Sequence, residues 1–69
     1  MAAQVKAEAF VAKIKGGRIY LKCDLIPGRE VILSASADDQ KVTGGLTFTE
    51  GQTVMVLVDG NIISLIWPR

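Results

Sequence analysis

Two short glycine turns, each lying between apolar segments, constrain the fold of this 69-residue chain more than any other feature. The first contains Gly16 and Gly17, and the second contains Gly60 followed by Asn61. Glycine and asparagine readily adopt the positive φ angles that two-residue hairpin turns require. The flanking segments are rich in valine, isoleucine and leucine, which is typical of strands. The sequence therefore predicts one β-hairpin near the start of the chain and another at its end.

Apolar residues alternate with polar ones through much of the chain, as expected for half-buried strands. The apolar face of the first hairpin is predicted to contain Phe10, Ala12, Ile14, Ile19, Leu21 and Cys23. The next strand is predicted to bury Val31, Leu33, Ala35 and Ala37. Residues 54–58 do not alternate and are apolar throughout. A strand that is apolar on both faces is either central in its sheet or covered by another subunit.

Residues 3–15 fit two structures. Alanine and lysine favour helix, and a single helical face would contain Ala3, Ala7, Phe10, Val11 and Ile14. In a strand, the apolar positions change from odd (Val5, Ala7, Ala9) to even (Phe10, Ala12, Ile14). Such a change of parity marks a β-bulge, which is common where a long strand bends. We favour the strand with a bulge and keep the helix as the alternative.

The predicted strands lie near residues 3–15, 18–24, 29–36, 46–49, 53–58 and 62–67. Ser36 and the aspartates after it resemble a helix start, and Gly44-Gly45 resembles a stop, so at most one short helical turn is expected near residues 37–43. This pattern predicts an all-β fold: one domain over residues 1–69, built as a small five- to six-stranded barrel of the OB-like or SH3-like type.

Composition argues against catalysis and metal binding. The chain has no histidine and one cysteine, Cys23, so it cannot form an intrachain disulfide, a structural zinc site or a histidine-activated nucleophile. Cys23 is best explained as a small buried apolar residue. The adjacent Asp38 and Asp39 are best explained as a solvated turn or helix cap. We expect no enzyme activity, no cofactor and no metal.

Targeting signals are not evident. Residues 1–6 lack a basic start followed by a long apolar core, so we expect no signal peptide. The longest apolar run, residues 54–58, is far shorter than the roughly 20 residues needed to cross a bilayer. A single unpaired cysteine without a secretion signal favours a reducing compartment. These observations predict a cytoplasmic protein with no membrane segment.

Positive charge is concentrated in the first part of the chain. Residues 1–30 hold six cationic and three acidic side chains, a net charge of +3, whereas residues 31–69 hold two and four, a net charge of −2. The polar face of the first hairpin is predicted to carry Lys13, Lys15, Arg18, Tyr20 and Lys22. Cations with an aromatic ring on a sheet surface are typical of proteins that bind single-stranded nucleic acid. The alternative is a solvated face whose lysines prevent pairing with other sheets.

A chain of this length buries only about 60% of the surface that it exposes when unfolded, less than a larger domain does, and often needs further burial. Its apolar excess lies in residues 54–58 and 62–67, on strands without a polar face. We therefore expect a homo-oligomer whose interface includes Val54, Val56, Val58, Ile62, Ile66 and Trp67.

Residues 46–58 (LTFTEGQTVMVLV) followed by residues 62–65 (IISL) resemble the C-terminal part of TOBE/Mop domains. That resemblance implies an OB-like barrel that assembles with its own kind and binds small oxyanions such as molybdate. The family's anion-binding lysine and small hydroxyl residues are replaced here by Asp59, Gly60 and Asn61. An aspartate at that place would repel an anion, so an oxyanion ligand is less expected than nucleic acid.

Residues 60–66 (GNIISLI) also resemble the closing motif of Sm-like RNA-binding rings, although the arginine that precedes the glycine there is Asp59 here. Both resemblances imply a small barrel and an oligomer. We therefore predict a non-enzymatic binding and assembly module that binds nucleic acid through its basic hairpin. The alternatives are a small-oxyanion module of the TOBE/Mop type and a structural protein-interaction domain.

Overall fold

The computed structural model describes residues 4–26 and 28–69 and shows an all-β domain with one short helix. The elements are β1 (Gln4–Lys15), β2 (Arg18–Ile26), β3 (Arg29–Ser36), α1 (Gln40–Thr43), β4 (Thr53–Asp59) and β5 (Ile62–Pro68). The strands form one antiparallel sheet in the order β3-β2-β1-β4-β5. The predicted fold class and the short helix near residues 37–43 are confirmed.

Two details of the predicted barrel are wrong. Residues 46–49 form no strand, because backbone N–H groups at both ends of the segment bond locally: Leu46 donates to the Thr43 carbonyl and Thr49 to the Gln52 side-chain oxygen, each at 3.1 Å. The outermost strands, β3 and β5, approach each other, but no ladder of hydrogen bonds joins them in the part of the chain that the structure describes. The sheet is therefore strongly curved but open.

The first strand contains the predicted bulge, and the helical alternative for this segment is excluded. Val11 pairs with Leu21 of β2, but the next pair joins Lys13 to Tyr20, so one extra residue is accommodated in β1. The extra residue lies two positions later than the sequence indicated, because Val11 is still fully buried. Phe10 consequently points away from the core and is 45% exposed, so its assignment to the core is wrong.

The last hairpin provides much of the core. β4 lies between β1 and β5, so both of its hydrogen-bonding edges are paired. Its inward side chains are fully buried, whereas Met55 and Leu57 on the opposite face are half-buried. The core contains Ala7, Ala9, Val11, Ile19, Leu21, Cys23, Leu33, Ala35, Phe48, Val54, Val56, Val58, Ile63 and Ile66.

The short helix α1 is fixed by capping at both ends. An Asp39 side-chain oxygen accepts a hydrogen bond from the Lys41 backbone N–H at 3.0 Å, which confirms the helix-cap interpretation of this aspartate. Gly44 ends the helix with a left-handed φ of 65°. Thr43 is buried and its hydroxyl donates to the Asp39 carbonyl at 3.1 Å. The helix packs against β5 near the open side of the sheet.

Candidate nucleic-acid interface

The outward face of β1, β2 and β3 carries the predicted binding residues. In β2 the odd-numbered residues Ile19, Leu21 and Cys23 are buried, so the even-numbered side chains point to the opposite face. Directly paired residues of antiparallel strands point to the same side. The pairs Lys13 with Tyr20 and Lys15 with Arg18 therefore project together from this face.

Four of the five predicted residues line one shallow groove of about 780 Å³ near the β1–β2 turn. The groove is lined by Ala12, Lys13, Lys15, Gly16, Arg18, Tyr20 and Ile32. The three cations are exposed, the Tyr20 side chain is half-buried, and no acidic residue is among the lining residues. The groove thus presents three exposed cations beside one aromatic ring, and nearby the Glu50 carboxylate accepts a hydrogen bond from the Ile14 backbone N–H at 2.8 Å.

The bulge in β1 and the glycine turn bring these cations together. Without the extra residue in β1, Lys13 and Lys15 would share a face with the buried Val11. Gly16 and Gly17 adopt φ angles of 60° and 76°, which tightens the turn and places Lys15 opposite Arg18. Local backbone structure therefore gathers cations from two strands.

The guanidinium group of Arg18 is oriented by the neighbouring strand. Its Nη2 donates a hydrogen bond to the Ser34 hydroxyl oxygen on β3 at 3.0 Å. Because the serine hydroxyl is uncharged, this hydrogen bond orients the Arg18 guanidinium without neutralising its positive charge. Arg18 can still offer its other N–H groups to a phosphate.

The fifth predicted residue, Lys22, lies on the same outward face but lines an adjacent depression of about 640 Å³. This depression is lined by Glu8, Ala9, Phe10, Lys22, Cys23, Asp24, Gly28, Arg29, Glu30 and Thr53. Its charges are mixed, and the Glu8 carboxylate pairs with the Arg69 guanidinium at 3.3 Å. The outward face is therefore basic near the β1–β2 turn and contains acidic residues farther along the strands.

Sequence analysis missed the exposed aromatic residue Phe10 because it placed the change of parity too early. The apolar residues Ala7, Ala9 and Val11 indicate the exposure of Phe10, because their alternate spacing continues the buried face of the strand past Phe10 and places Phe10 on the opposite face. Ile32 was also missed as a groove residue, although alternation with the buried Leu33 places it outward.

The residues predicted to form a subunit interface divide between the core and the surface. Val54, Val56, Val58 and Ile66 are buried within this chain, so a second subunit could reach them only if the core opened. Ile62 is 68% exposed and Trp67 is half-buried. Leu65, which was not predicted, is also exposed on β5. Association of this hairpin with a second chain stays a prediction.

Other candidate chemistry is limited in the part of the chain that the structure describes. Cys23 is buried, and this burial raises the pKa of its thiol and disfavours the reactive thiolate. Among residues 4–26 and 28–69, no three cysteine, aspartate or glutamate side chains form a group that could bind a metal ion. No helix in these segments is long and apolar enough to span a membrane.

Comparison of the chain with known protein families, with curated proteins and with solved structures found no match. The resemblances to TOBE/Mop domains and to Sm-like proteins therefore stay predictions.

Proposed function

We propose that this protein is a non-enzymatic binding module that holds single-stranded nucleic acid on the outward face of β1 and β2. The observation that carries the proposal is the groove that Lys13, Lys15 and Arg18 line together with Tyr20, and whose lining residues include no acidic side chain. These residues come from two strands and from both sides of a turn. Their convergence supports a binding role over a generally solvated strand face.

The proposed recognition combines two contacts. The ammonium and guanidinium groups bind successive phosphates, and the exposed part of the Tyr20 ring stacks on a base. A shallow groove on a curved sheet suits a flexible single strand, whose bases are free to turn toward an aromatic ring. Binding of this kind depends strongly on salt and weakly on base sequence, because every base has a stacking face.

The proposal is tested by reversing charge inside the groove and elsewhere. The double variant Lys15→Glu/Arg18→Glu removes two of the three groove cations. The control Lys6→Glu/Lys41→Glu makes the same change in net charge at two exposed positions outside the groove. We expect the first variant to lose most of its affinity for a labelled oligothymidylate at low salt, measured by fluorescence anisotropy, and the control to lose far less.

Equal losses in the two variants would show a non-specific effect of net charge and would contradict the proposed site. Thermal melts of all the proteins verify that each variant is folded. The small-oxyanion alternative is examined in parallel by titration calorimetry with molybdate, tungstate and sulfate. Binding of these ions by the wild-type protein, with no binding of oligonucleotide, would replace the proposal with that alternative.

We also propose that the protein self-associates through β5. This strand lies at an edge of the sheet and exposes Ile62 and Leu65. Exposed apolar side chains favour burial against another chain, and the proposed contact uses these side chains because α1 and β3 both approach β5. The outward face of the basic hairpin belongs to β1 and β2, so association at β5 would leave the groove accessible.

A further inference from the structure

Phe10 is the one aromatic residue of the outward β1–β2 face that the proposed binding mode does not use. Its side chain is 45% exposed, although its neighbours Ala9 and Val11 on the same strand are buried. Exposing a large aromatic surface to water is unfavourable, and core packing does not account for Phe10 at this position. The location of Phe10 beside the groove suggests that its exposed ring contacts a ligand.

The sheet register places Phe10 close to the proposed site. Phe10 pairs directly with Lys22, which in turn pairs with Ile32 on β3. Tyr20 lies two residues from Lys22 on the same strand and face, so Phe10 and Tyr20 are diagonal neighbours. Such neighbours lie about 7–8 Å apart, within reach of long and aromatic side chains. Adjacent nucleotides of an unstacked single strand can span this separation.

Three side chains form a row across the sheet in the order Phe10, Lys22 and Ile32. The two outer members are exposed apolar residues, at 45% and 63%, and the central one is a cation. An aromatic ring, an aliphatic side chain and an ammonium group are therefore available side by side. This combination fits a nucleotide, which also has an apolar base face and a phosphate.

We propose that Phe10 is a second stacking platform, so that the site binds two adjacent bases of a single strand, one on Tyr20 and the other on Phe10. Lys22 binds the phosphate that links these two nucleotides. Lys13, Lys15 and Arg18 bind the phosphates on the Tyr20 side. Beyond Phe10 the depression contains Glu8, Asp24 and Glu30, whose carboxylates outnumber its remaining cation, Arg29, and therefore disfavour further phosphates. This inference rests on the proposed function and adds a defined length to its ligand.

The experiment measures affinity as a function of strand length. Thymidine monophosphate and oligothymidylates of two, four and eight nucleotides are titrated against the wild-type protein, Phe10→Leu and Phe10→Tyr. Leucine keeps an apolar side chain but has no aromatic face, and tyrosine keeps the ring. For the wild-type protein we expect affinity to rise steeply from one nucleotide to two and to level off by four.

We expect Phe10→Leu to lose affinity for the longer strands by about fivefold or more and to bind the monophosphate like the wild-type protein. Phe10→Tyr should behave like the wild-type protein at every length. If Phe10→Leu matches the wild-type protein at all lengths while Lys15→Glu/Arg18→Glu abolishes binding, the second platform is refuted and the proposed function stands. If the wild-type protein binds none of these strands, both are refuted.

Discussion

Lys13 of β1 lies directly opposite Tyr20 of β2, at the first pair after the bulge in β1. The bulge makes this pair possible. Before it, the odd-numbered residues of β1 face the core, and after it they face outward, as the even-numbered residue Tyr20 of β2 does. An ammonium group and an aromatic ring thereby share one face of the sheet. A single extra residue in β1 thus places Lys13 and Lys15 on the same face as Tyr20.

Removing the aromatic ring of Tyr20 should weaken binding of single strands. We expect Tyr20→Leu to lose about 1–3 kcal/mol of binding free energy for an oligothymidylate, because base–aromatic stacking contributes that much per base. Tyr20→Phe, the matched control, should retain nearly all of it, since the ring remains. Anisotropy titrations at one salt concentration measure both variants. Equal affinities of Tyr20→Leu and the wild-type protein would show that no base stacks there.

The strand pattern of the first half of the chain was predictable because its signals are local. Alternating side chains and glycine turns determine which residues share a face, so the basic hairpin could be predicted before any pairing was known. The groove contains Lys13, Lys15, Arg18 and Tyr20, as that pattern indicates. Lys22 lies on the same face, in the adjacent depression.

The errors arose where long-range contacts override local pattern. Alanine and valine are compatible with either face of a strand, so the position of the bulge and the exposure of Phe10 depend on which β1 residues face the core. Phe48 is buried, but it reaches the core from irregular backbone and not from the strand that was predicted at residues 46–49. Closure of a barrel depends on the distant strands β3 and β5, and no local signal specifies it.

The two adjacent aspartates should make unequal contributions to stability. Asp39→Ala removes the side chain that caps α1 and should lower the free energy of unfolding by about 1 kcal/mol. Asp38→Ala is the matched control, because the helix cap is Asp39 and this neighbour lies outside the helix. Urea denaturation of both variants gives the comparison. Equal losses would mean that the cap contributes no measurable stability.

The buried thiol of Cys23 should make stability depend on pH in the alkaline range. Burial raises the pKa of Cys23, so the unfolded chain loses its thiol proton at a lower pH than the folded chain. Below the ordinary cysteine pKa of about 8.5 this group contributes no pH dependence, and above it the folded state loses stability as pH rises.

The Cys23→Ala variant isolates that effect, because alanine does not titrate. We expect the difference in unfolding free energy between the wild-type protein and Cys23→Ala to be constant from pH 6 to about 8 and to shift against the wild-type protein above about 8.5. Urea titrations across this pH series measure it. A difference that is independent of pH would show that the thiol ionises equally in both states.

Self-association through β5 should be sensitive to charge at its exposed apolar positions. Ile62→Lys places a cation at the most exposed large apolar residue that the structure describes, at 68% exposure. Thr49→Lys is the control, since it adds the same charge at an exposed position outside β5. By sedimentation equilibrium we expect oligomers for the wild-type protein and the control, and a larger monomer fraction for Ile62→Lys. Wild-type sedimentation at the monomer mass of 7.4 kDa would contradict the proposal.

The most direct test of the proposed function is the salt dependence of oligothymidylate binding by the wild-type protein. Four cations, Lys13, Lys15, Arg18 and Lys22, are available on the outward face. Each phosphate contact contributes about −0.7 to the slope of log affinity against log salt concentration for a single strand. We therefore expect a slope of about −2 to −3, and a smaller magnitude for Lys15→Glu/Arg18→Glu. A slope near zero, or one that this double variant leaves unchanged, would contradict binding at the basic groove.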